Sequence, residues 1–249
     1  MESNLRDAID YLVNLGDENA EPKVVEIDGK LYCNKSLKRY DETPKASPIS
    51  GASLTALMDY IINNPAELPD RKMILHVTAP DEVRFYSSLD KERERETLFV
   101  AKAKLPRFEF DHYMSQEEFI IGMQSCFVQN QDSELILKVS GNVENKSVAH
   151  YGDDGVSQKA TIKQGIASRA DVIVPNPVTL IPFRTFLEVK QIESKFVFRI
   201  GEDRNEQPIF KLVEADGGAW KYAAMRRVAD YLADNLQDLI KSGMITVIA

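Results

Sequence analysis

Cysteine, tryptophan and histidine are scarce: the chain of 249 residues holds two cysteines, one tryptophan and three histidines. Cys33 and Cys126 stand far apart in no CxxC pair. A disulfide framework is therefore not implied, and both read as small apolar side chains in a reducing compartment. His76, His112 and His150 stand singly, with no HxH or HExxH spacing, so no metal site is expected of them. His76, inside MILHVTA, is expected to be half-buried. No apolar run approaches the roughly 18–20 residues of a membrane span, so no membrane contact is expected. GxSxG, Walker and GxGxxG patterns are missing, and nothing points to a nucleophile or a phosphate loop. Basic charge is not in excess either, because the formal net charge is -8. That argues against coating duplex DNA, where cations supply most of the affinity, but it is compatible with a local basic groove. The stretch MESNLRDAID lacks a basic segment ahead of an apolar one, so no signal peptide is read and the cytoplasm of a host cell is the expected location.

What is present suffices for a core: 43% of residues are hydrophobic and 28% charged. Residues 3–15 form an amphipathic helix pattern, capped by Ser3 or Asn4 and stopped at Gly16. KVVEIDGKLYCN reads as a hairpin turning at Asp28-Gly29. The polar stretch KRYDETPKASPIS then marks a boundary, which divides the chain into 1–50, a small helix-and-hairpin appendage, and 51–249, the main domain. Ser53 caps a helix that Pro65 ends. MILHVTA, EVRFYSSL and TLFVAKAKL read as strands, and DKERERET as a solvated loop. Ser115 and Glu118 make a capping box for a helix over 115–129. From ELILKVSGNV onward the pattern reads as strand: KSVAHYG, VSQKATIKQGI, VIVP, TFLEV, KFVFRI and PIFKLVE. A helix over 219–240 and a last strand, MITVI, follow. The order does not alternate strand and helix, so the expected class is α+β, with large, mostly antiparallel sheet packed by about four helices on one side.

Three constellations carry chemistry. Gly152-Asp153-Asp154-Gly155 could hold a hard cation, but tight-turn geometry already explains those residues. Asp171 followed by Glu188-Val189-Lys190 resembles the active site of restriction-endonuclease-like nucleases. There two carboxylates hold Mg²⁺ and a lysine orients the attacking water. It requires ExK on a strand and a hairpin near 176–179 that brings Asp171 beside Glu188; otherwise Glu188 and Lys190 merely share one solvent-facing side. The third is interleaving of aromatic and basic residues in Arg107-Phe108-Glu109-Phe110, Phe183-Arg184-Thr185-Phe186, Lys195-Phe196-Val197-Phe198-Arg199 and Trp220-Lys221-Tyr222 with Arg226-Arg227. Single-stranded nucleic acid binds by stacking bases on rings while cations follow the phosphates. Alternation on a strand gives a core face opposite a charged face just as well.

GDDGVSQKATIKQGI, VPNPVTLIPFRTFLEVKQIESKFVFRI and LVEADGGAWKYAA, with the terminal VIA, resemble an uncharacterised tailed-phage and prophage family related to the YfdQ-like group. The resemblance covers about the C-terminal two thirds and brings no catalytic signature. It implies a setting among phage genes of DNA recombination and replication. The preferred expectation is a non-catalytic accessory protein, homo-oligomeric, that binds single-stranded DNA or a phage recombination protein. Arg184, Lys195, Arg199, Arg226 and Arg227 would meet phosphate, with Phe186 and Trp220 as stacking rings. No cofactor is expected in that case. A Mg²⁺-dependent nuclease using Asp171, Glu188 and Lys190 is the rival, and an interaction protein without nucleic-acid contact is the third reading.

Overall fold

The computed structural model describes residues 2–20, 22–27, 29–35, 45–64, 68, 72–91, 93–143, 157–163 and 169–249. The chain divides into two units, Met1–Lys45 and Ala46–Ala249. The first holds helix α1 (Glu2–Ala20) and the antiparallel strands β1 (Val24–Ile27) and β2 (Lys30–Cys33). Gly29 supplies the positive φ of 73° that the hairpin turn needs. Gly16 does not stop α1, which continues through it. A glycine inside a helix costs only about 1 kcal/mol against alanine, so it weakens the helix without ending it.

The second unit contains two five-stranded sheets. The first is mixed and takes its strands from the two ends of the unit. They are β3 (Ile49–Gly51), β4 (Met73–Ala79), β5 (Glu82–Tyr86), β6 (Thr97–Lys102) and β14 (Ile245–Ile248). The order is β14-β4-β5-β6-β3; β4, β5 and β6 form an antiparallel meander, and both edge strands lie parallel to their neighbours. Helices α2 (Leu54–Asn63) and α5 (Ala219–Asn235) pack against it, burying Leu57, Ile61, Val228 and Leu232 with Leu75, Val83 and Phe85. Half-buried His76 alternates with these core positions on β4.

The second sheet is antiparallel throughout and comes from the middle of the unit. It consists of β7 (Met114–Ser115), β8 (Phe127–Val128), β11 (Val178–Pro182), β12 (Ser194–Glu202) and β13 (Pro208–Glu214), in the order β7-β13-β12-β11-β8. Helices α3 (Gln116–Cys126) and α4 (Gln131–Asn142) cover one face. The core there is aromatic: Phe119, Phe127, Phe196, Phe198 and Phe210 are all buried. Strands β9 (Ser157–Lys163) and β10 (Arg169–Pro175) pair as a separate hairpin.

The α+β class holds, with the helices shared between two sheets rather than gathered on one side. Other elements differ from expectation too, and the helix expected over 115–129 ends at Cys126, where Phe127 and Val128 pass into β8. ELILKVSGNV is helical, not a strand: Asn130 and Ser133 form a reciprocal cap, and buried Ser133, Ile136, Val139 and Ser140 recur at helical spacing. The helix over 219–240 is interrupted at Leu236, after which α6 spans Gln237–Lys241 and Gly243, with φ 75°, turns the chain past its Ser242 cap. TFLEV is a loop, for reasons given below. KSVAHYG and GDDG lie outside the described residues. Among the described residues, no helix is long and apolar enough to cross a membrane.

Both capping boxes sit on helices that close the aromatic core. Ser115→Ala and Asn130→Ala should each cost about 1 kcal/mol in urea unfolding; an unchanged midpoint for both would separate those caps from the stability of the sheet.

Candidate functional site

Residues 183–193 link β11 to β12 and serve both cores. Phe186 and Val189 enter the core of the mixed sheet, while the Arg184 guanidinium lies 5.5 Å from the Phe196 ring in the other. Such a buried loop must satisfy its own backbone. Gln191 does most of this. Its Oε1 accepts from the Arg184 and Thr185 amides at 3.0 and 3.2 Å. Its Nε2 donates to the carbonyls of Thr185, Phe186 and Val189 at 3.3, 3.0 and 3.3 Å. Thr185 Oγ1 donates to the Pro80 carbonyl at 2.6 Å, and Arg227 Nη1 to the Lys190 and Gln191 carbonyls at 2.9 and 3.0 Å. A strand over TFLEV would need ladder partners, and the side chains of Gln191, Thr185 and Arg227 stand in their place.

Arg184 is the centre of the arrangement. Its side chain is 10% exposed, is ion-paired to Glu214 and donates to Ser194. The guanidinium stacks 3.9 Å from the centroid of Trp220. Burial pushes its pKa below the ordinary arginine value, against the opposing pull of Glu214 and Asp216. Among the described residues, neither Arg184 Nε nor Trp220 Nε1, both buried, has a hydrogen-bond partner.

Beside this stack opens a cleft of about 450 Å³. Pro80, Asp81 and Ala103 line it from the mixed sheet, and Phe108, Phe110, Cys126, Pro182 and Phe183 from the other core. Trp220 and Lys221 close it from the start of α5, and Arg107 lies on the rim. Arg107 and Lys221 are exposed, and no ion pair to either is found among the described residues. Three of the four aromatic-basic runs therefore meet here. A second groove, of about 470 Å³, shares Trp220 and is lined by Lys195, Ser194, Glu193 and Asp216.

The expected contact residues fare unequally. Phe186 is fully buried and cannot stack on a base, and Arg184 spends its Nη1 and Nη2 donors on Glu214 and Ser194 inside the protein. Arg227 holds carbonyls, and Arg226 pairs with Asp230 at 3.4 Å along exposed α5. Lys195 and Arg199 lie on the outward face of β12, opposite Thr179 and Lys211 respectively. Trp220 is half-buried at the cleft. Arg107, Phe183 and Lys221 stood inside the right sequence runs, but which member of each run faces outward depends on loop geometry. Pro80 and Asp81 carried no signal.

The nuclease constellation is not assembled as expected. Glu188 lies in the loop, and its Oε1 accepts from the Leu54 and Thr55 amides at 2.7 and 3.1 Å. It supports the N-terminus of α2 beside the Ser53 cap. Lys190 is exposed in the same loop. Asp171 pairs with Thr161 across the β9–β10 hairpin, while β11 pairs with β12 and β8. Among the described residues, no group of three metal-ligating side chains is found.

Comparison with family models, curated proteins and solved structures gives no match to this chain.

Two stability effects follow. Glu188→Ala should destabilise by about 1 kcal/mol through loss of the α2 cap, with Glu188→Gln closer to wild type; urea unfolding measures both, and no loss in Glu188→Ala would contradict the capping role. Arg184→Ala strands Glu214 and strips the cation from Trp220, so a loss on the order of 3 kcal/mol is expected, with a shifted Trp220 emission.

Proposed function

We propose that this protein is a non-catalytic accessory factor that holds single-stranded nucleic acid in the Trp220 cleft. The observation that carries this reading is the convergence of Phe108, Phe110, Phe183 and Trp220 with Arg107 and Lys221, to which no ion pair is found among the described residues, at one opening. Rings offer stacking surface to any base, and the rim cations offer phosphate contacts. The volume suits a base or a nucleotide. Lys195, in the groove that shares Trp220, extends the cationic flank. Asp81, Glu193 and Asp216 oppose this charge, so binding is weak and salt-sensitive. The likeness to a phage family supports a setting in phage DNA processing. The nuclease reading has less support, since Glu188 is committed to α2.

Trp220 is the sole tryptophan, so its fluorescence reports on the cleft directly. Titration with oligothymidylate at low salt should quench it saturably, with duplex DNA weaker because its bases are already stacked. Arg107→Glu with Lys221→Glu should weaken binding at least about tenfold and lower the salt slope by roughly 1.4, about 0.7 for each lost phosphate contact. No anisotropy change and no quenching at low salt would overturn the reading, and cleavage on adding Mg²⁺ or Mn²⁺ would overturn its non-catalytic part.

A further inference from the structure

The N-terminal unit cannot bury what it carries. Leu5, Ile9, Tyr11, Leu12, Val13 and Leu15 of α1 are all exposed, Leu5 and Leu12 at 65% and 64%. So are Val24, Val25, Ile27, Leu31 and Tyr32 of the hairpin, Leu31 at 73%. At 3.6 residues per turn the apolar positions of α1 sweep an arc of about 200°, against roughly 100° for a helix that packs on one surface. The polar side, with Arg6, Asp7 and Asp10, is correspondingly narrow. The hairpin is no better placed. Its register sets Val25 beside Tyr32 and Val24 beside Cys33, so both of its faces carry apolar pairs. Among the described residues no third strand joins it. A lone hairpin and a lone helix are each marginal in water.

We infer that the occupant of this surface is the same unit of a second copy of the chain. Leu5, Tyr11, Leu12 and Leu31 are each more than three-fifths exposed, the kind of large apolar side chain that a standard stable interface, with roughly 800 Å² from each partner, takes up. Within the wide arc, Leu5, Ala8, Leu12 and Leu15 recur at alternate spacings of three and four, the period of a helix-to-helix seam. Ile9 and Val13 flank that seam on one side, where a hairpin can meet them. A two-fold pairing matches helix to helix and helix to hairpin with one self-complementary patch. Among the described residues of the main unit, exposed large apolar side chains fall about one to an element, such as Ile62 on α2, Ile121 on α3 and Ile248 on β14, and they gather only in the groove where Ile62, Leu68 and Met244 meet.

Sedimentation velocity on the full chain across concentration tests this. The wild type should dimerise reversibly. Leu5→Glu with Leu12→Glu should raise the dissociation constant at least about a hundredfold, and Leu31→Glu should do so independently through the hairpin. Asp10→Ala, on the polar side, should leave it unchanged. Unaltered Trp220 emission in each variant shows that the main unit remains folded. A wild type that stays monomeric at about 100 μM, or variants that dimerise as tightly as the wild type, would overturn the inference.

Discussion

Gln191 is a neutral side chain with 6% exposure, and the two cores of the main unit meet around it. Its one amide answers five backbone groups of a loop that no strand pairs with. Once those groups are satisfied, the loop can send Phe186 and Val189 one way and Arg184 the other. Loss of that amide would leave several buried polar groups unmade at once, each costing about 1–3 kcal/mol. The position of Arg184 under Trp220, and with it one wall of the cleft, depends on this satisfaction.

The two cores differ in kind. The mixed sheet is packed mainly by aliphatic side chains, with Leu54, Leu57, Leu75, Val77 and Val83 fully buried. In the antiparallel half, rings pack on rings: Phe198 lies 6.1 Å from Phe210, Phe119 5.2 Å from Phe210, and Phe110 5.3 Å from Phe196. The cleft opens where that ring cluster reaches its edge, at Phe108 and Phe110. Aromatic surface at the opening is thus continuous with the core behind it. Partial burial holds the rings in place, which a stacking surface needs.

Local signals were the readable ones. Ser53 and Ser115 announced their helices, Asp28-Gly29 its hairpin, and the alternation around Phe196 and Phe198 gave the buried face of β12 correctly. Residues 131–142 misled because LILKV alternates as a strand does, while the stronger signal, Asn130 with Ser133, is a less common cap pair. Glu188 and Lys190 illustrate the opposite limit. Their spacing is the same on a strand and in a turn, and only the amides of α2, more than a hundred residues away, define what the carboxylate does. The cleft was legible as three of four aromatic-basic runs but not as one place, because bringing Arg107, Phe183 and Trp220 together is a property of the tertiary fold alone.

The antiparallel sheet comes from one continuous stretch, whereas the mixed sheet is completed by β14 after everything else. One half is inserted within the other. During synthesis the inner half has all its strands and helices to hand before α5 and β14 have been made. The outer half must wait with β4 unpaired on one edge. Segments close in sequence find each other before distant ones, so the meander β4–β5–β6 and the inner half precede the docking of α5 and the pairing of β14 with β4. The seam at Arg184 and Trp220 is then among the last places to close, when α5 docks.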